Sequence, residues 1–151
     1  MSDAGPRGAD AGAQDRLVEL LAHEAGSLVA RLRLWTPARW AAAAPPYGTR
    51  GDLALHLAQW FADAAGEAPV RLPRLDSDLA LPDQLAVTAD DLVRTRPGAH
   101  QAGDAVAHVL LHRGDLLDEP VPAGLVTTLG ASSGAALLER ARRVCGGPPG
   151  D

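Results

Sequence analysis

Two histidines four residues apart, His108 and His112, stand in a segment of helical periodicity. That spacing puts both imidazoles on one helix face, where their nitrogens can converge on a single ion. On the same helical wheel Asp104, His108, His112 and Asp115 form a narrow polar stripe, flanked by Ala107 and Leu111 on one side and Val109 and Leu116 on the other. Histidines on such an inward stripe must be hydrogen-bonded or metal-bound to offset their desolvation. Two imidazoles underfill a divalent ion. The best-placed third donor is His56, in a second periodic segment where Asp52, Trp60 and Asp63 share its face. Three nitrogen ligands leave one position open, as in catalytic zinc-type sites, and zinc and nickel both accept imidazole. Asp52 and Asp115 are candidates for orienting the ring N–H groups, and are equally readable as helix-start and surface carboxylates. His23 and His100 read as solvent-facing. The competing reading of the whole constellation is three hydrogen-bonded core histidines.

These residues need helices to position them, and the periodicity supplies helices. Leu17, Leu21, Ala25, Leu28 and Leu32 recur at steps of three and four, predicting a first helix over Gln14 to Arg33. Thr36-Pro37 is a cap and first turn opening a short helix through Trp40, which Pro45 and Pro46 must end. Thr49 and Asp52 resemble a capping box at the head of a helix carrying Leu53, Leu57, Trp60 and Phe61, fading near Gly66. Ala68 to Leu81 reads as a loop. A third long helix should run from Pro82 to about Arg96, with Leu85, Leu92 and Val93 buried, and a fourth from about Gln101 to Leu117 before Pro120 and Pro122. A last helix is expected over Ser132 to Val144. No alternating β-branched run appears. The expected fold class is all-α: an up-and-down four-helix bundle with one short additional helix. Residues 1–13 read as a disordered leader, 14–145 as the bundle and 146–151 as a flexible tail. The three tryptophans, Trp35, Trp40 and Trp60, are expected in the core, Trp60 also being able to line the histidine pocket.

The composition narrows the function classes. A chain of 151 residues suits one domain, and its 46% hydrophobic and 22% charged residues are ordinary globular values. The net charge of -5 argues against nucleic acid, which requires a basic face. No apolar run approaches the length of a membrane span and the leader has no apolar core, so neither membrane nor export is expected. Cys145 is the only cysteine, which excludes an intrachain disulfide and suits the cytoplasm. Lys, Asn and Ile are absent while Ala, Arg, Gly and Pro abound, which points to a high-GC bacterial genome.

Two runs carry a resemblance: Thr49-x-x-Asp52-x-x-x-His56-Leu57, and His108-Val-Leu-Leu-His112-Arg113-Gly114-Asp115. With Leu34-Trp-Thr-Pro-Ala-Arg-Trp40 between the first helices, the chain resembles the DinB superfamily from about Gln14 to Val144, and within it the branch of mycothiol-dependent maleylpyruvate isomerases. The resemblance implies a four-helix bundle with a metal on His56, His108 and His112; the additional C-terminal domain of some isomerase-branch members is not expected, since the sequence stops soon after the fifth predicted helix. The isomerase branch has Glu where His108 stands and Trp where Gly48 stands, so the likeness is to the generic three-histidine pattern. It implies a metal-dependent thiol transferase or isomerase, with mycothiol as cofactor and a small-molecule thiol or electrophile as partner. The alternatives are a metal hydrolase, or a non-catalytic metal-binding structural or stress protein. Homodimerisation is left open.

Overall fold

The computed structural model describes residues 6–66 and 70–120, together with Glu139. The helix expected over Ser132 to Val144, Cys145 and the tail 146–151 lie outside the described residues, apart from Glu139. Among the described residues five α-helices are assigned in order: α1 (Pro6–Leu32), α2 (Pro37–Ala41), α3 (Arg50–Ala65), α4 (Leu81–Arg94) and α5 (Ala99–Leu117). A 3-10 turn, Asp78–Ala80, precedes α4, and no strand occurs among the described residues. None of the described helices is long and apolar enough to cross a membrane.

Each helix forms where the apolar period and the caps agree. On α1, Leu21, Ala25, Leu28 and Leu32 are buried as a stripe. The helix begins at Pro6 rather than Gln14, so residues 6–13 form its first turns. Proline suits a first turn, and Ala9, Ala11 and Ala13 offset the cost of Gly8 and Gly12. On α3, Leu53, Leu57 and Phe61 recur every four residues and are fully buried. Burying each contributes about 1.5–3 kcal/mol. Both caps foreseen from sequence are present: Thr36 accepts from the Arg39 amide, and Thr49 and Asp52 form a reciprocal capping box. Trp35 and Trp40 pack together with ring centroids 4.7 Å apart, and Arg39 lies over the face of Trp35.

Packing follows from which faces are apolar. α1 lies against α4 and α5, and α3 lies against the same two helices. α5 is the most enclosed, buried from Ala102 to His112 except for half-buried Asp104. It therefore carries its histidines through the middle of the protein. Gln14 donates to the carbonyls of Arg96 and Pro97, which ties α1 to the α4–α5 connection.

Candidate functional site

His56 projects from α3, and His108 and His112 from α5. The packing of the two helices gathers the rings. The centroids of His56 and His112 are 5.6 Å apart with planes 22° from parallel, and those of His108 and His112 are 5.8 Å apart at 12°. Two imidazoles on one ion, with metal–nitrogen distances of about 2.0–2.1 Å, place their centroids about 5–5.5 Å apart. The spacing found is a few tenths of an ångström wider. Among the described residues no group of three or more His, Cys, Asp or Glu side chains stands in a ready coordination arrangement. The rings are neighbours rather than an assembled ligand set.

The chemistry of the donors nevertheless fits a divalent ion. His108 and His112 are fully buried. His112 Nδ1 lies 2.8 Å from the carbonyl oxygen of His108, so Nδ1–H donates there and the lone pair stays on Nε2. That Nε2 and the Nε2 of His56 are buried with no hydrogen-bond partner. An unpartnered buried acceptor costs about 1–3 kcal/mol. Burial, together with the neighbouring His112 and His56, pushes His108 down to about 3. His112 is pushed down to about 4, chiefly by burial, against the opposing bond to the His108 carbonyl. Burial also lowers His56. All three rings are thus neutral at pH 7, the form that ligates metal.

Of the carboxylates foreseen as orienting groups, Asp52 lines the same cleft as His56 and Asp115 lines a different hollow. Asp52 accepts from the Thr49 amide at 2.9 Å and from its hydroxyl at 3.0 Å, and pairs with Arg74 at 3.0 Å. A carboxylate at the third position of a capping box is satisfied locally. Asp115 is exposed in the last turn of α5, lining a separate hollow with Arg50 and Asp118. The ring of His112 is oriented by a backbone carbonyl of its own helix instead. His23 and His100 are exposed, as expected.

Sequence reasoning missed Tyr47 and Gln59 beside the site, and a buried ion pair between Glu24 of α1 and Arg113 of α5. Tyr47 sets its ring 4.9 Å from that of His56 and 6.0 Å from that of His112. No periodicity marks it, because it lies in the turn between α2 and α3. Glu24 is buried on α1 and paired with Arg113 at 2.9 Å, next to His112 in the chain. A glutamate between Leu21 and Leu28 on an apolar stripe was the available signal, since a buried charge needs a partner. Gln59, one turn after His56, holds the segment opposite. Trp60 is half-buried and stacks on His108 with centroids 4.0 Å apart.

A cleft of about 570 Å³ runs beside His56, walled by Tyr47, Leu55 and Leu72, with Asp63 and Arg71 at its polar side. Of the three histidines, His56 lines this cleft. No family model, no curated protein and no solved structure matches this chain.

Proposed function

We propose that this chain is a divalent-metal-binding protein of the DinB type, its four long helices forming an up-and-down bundle and α2 the short additional helix. His56, His108 and His112 would hold the ion, zinc or nickel. The observation that carries this reading is the pair of buried, unpartnered Nε2 atoms on His56 and His112, neutral and neighbouring. A bound divalent ion supplies Lewis acidity, which lowers the pKa of a coordinated thiol into the neutral range. The chain's own residues do the rest. The His108 carbonyl keeps the His112 lone pair on Nε2, the enclosed α5 excludes water, and the cleft beside His56 admits the reactants.

The activity we assign is a cytoplasmic thiol transfer or isomerisation on a small electrophile, with mycothiol as the thiol. Gly48 marks the chain as distinct from the isomerase branch, because its φ of 97° and the 2.6 Å between its would-be Cβ and Asp52 Oδ2 leave no room for Trp. A hydrolase would need a general base. Among the described residues the cleft offers Asp52 and Asp63 and no Glu, and Asp52 is engaged by Arg74.

Elemental analysis of untagged protein tests the reading, with His108→Ala/His112→Ala beside wild type. About one equivalent of metal in wild type, absent from a folded variant, supports it. No stoichiometric metal after reconstitution with zinc or nickel refutes it. Cobalt-loaded protein whose visible spectrum shifts on adding thiol would support the thiol chemistry. An unchanged spectrum would remove it.

A further inference from the structure

The cleft beside His56 contains a cation, Arg71, whose backbone is held by a side-chain clasp. His56, Gln59 and Asp63 fall on one face of α3, at steps of three and four. The Gln59 side-chain amide bridges the chain on either side of Arg71: its Nε2 donates to the Val70 carbonyl at 2.6 Å, and its Oε1 accepts from the Leu72 amide at 2.7 Å. Its second N–H donates to Asp63 Oδ1 at 2.8 Å. A glutamine amide matched to the carbonyl and amide flanking one residue fixes that residue's backbone without touching its side chain. Arg71 is exposed, lines the cleft and forms no ion pair among the described residues. Of the carboxylates in the same lining, Asp52 is ion-paired with Arg74, and Asp63 accepts a hydrogen bond from the neutral Gln59 amide and forms no ion pair with Arg71. Leu55 and Leu72 give the same cleft an apolar wall.

We propose that this cleft binds a small organic carboxylate, whose anionic end pairs with Arg71 while its hydrocarbon body lies along Leu55 and Leu72 towards His56. Guanidinium suits this role, because its planar fork matches the two carboxylate oxygens. The inference rests on the reading of the cleft as the approach to the histidines, and names the charge class of what enters. It does not require the metal.

The test is a chemical-shift titration of the untagged full chain, metal-free and zinc-loaded, with hexanoate, hexylamine and hexanol. Hexanoate is expected to shift the amides of Gln59 and Leu72 and to bind about tenfold tighter than hexanol. Arg71→Gln should erase that advantage, Arg71→Lys should keep part of it, and Gln59→Ala should weaken it with Arg71 still present. Preference for hexylamine, or equal hexanoate binding by wild type and Arg71→Gln, would overturn the proposal. Arg71-dependent binding by protein that takes up no stoichiometric metal on reconstitution would refute the metal reading alone. Stoichiometric metal without hexanoate binding would refute the carboxylate site alone.

Discussion

His112 turns its Nδ1 towards the carbonyl oxygen of His108, one turn back on the same helix, at 2.8 Å. The neutral ring therefore keeps its proton on the backbone side and its lone pair on Nε2, where the protein offers no donor. This is a poor arrangement for stability and a good one for ligation. Replacing His56 with leucine removes a buried, unsatisfied polar atom from a half-buried side chain. His56→Leu is expected to leave metal-free stability unchanged or raise it by about 1 kcal/mol, while metal retention is lost. Urea unfolding in chelator, beside metal analysis, checks both signs. A loss of stability in the metal-free state would show that the ring is satisfied after all.

Acid should weaken the metal-free protein through the same rings. His108 and His112 titrate at about 3 and about 4 when folded and near the ordinary histidine value when unfolded. Between those values the unfolded chain binds more protons, so stability is fully present above about pH 6.5 and declines as pH falls towards 4. Each ring contributes a slope of up to about 1.4 kcal/mol per pH unit. Thermal melts from pH 7.5 to 4.5 should show a drop that is smaller in His108→Leu.

Arg113→Met should destabilise by about 2–3 kcal/mol, because it strands Glu24 between α1 and α5 without its partner. The double variant Glu24→Met/Arg113→Met should recover most of that loss. Glu119→Gln, which removes the half-exposed second partner of Arg113, should cost less. A double-mutant cycle in urea reads the coupling directly.

Gly48→Ala should cost about 1–3 kcal/mol, since it places a side chain at a φ of 97° and against Asp52. Asp52→Ala, which removes the capping carboxylate but leaves that backbone alone, should cost about 1 kcal/mol. If Gly48→Ala proved neutral, the turn would have to adopt another conformation.

Much of the helical frame could be read from the chain, because its determinants are local. The Thr49–Asp52 box lies within four residues, and the stripes of α1 and α3 repeat within single helices. Where local signals were faint the boundaries moved, as at Pro6, where helix propensity without an apolar stripe looked like a leader. Convergence of His56 on His112 was foreseeable because each lies on an inward face. The surroundings were not. Tyr47 reaches the rings from a turn, Glu24 finds Arg113 across 89 residues, and Gln59 meets a segment with no periodicity of its own. Such pairings depend on three-dimensional packing that no window of sequence contains.

The order of packing has a consequence for synthesis. Of the described helices α1 leaves the ribosome first, yet its partners α4 and α5 are the last of them to be made. At typical elongation rates the stripe of Leu21, Leu28 and Leu32 waits on the order of several seconds before Leu85 and Leu92 exist to cover it. α3 and α4 are neighbours in both sequence and space, so this pair can close while α1 is still unpartnered. In the nascent chain, α1 is thus a greasy surface awaiting its place, and whatever shields it there decides how much of the protein reaches its native form.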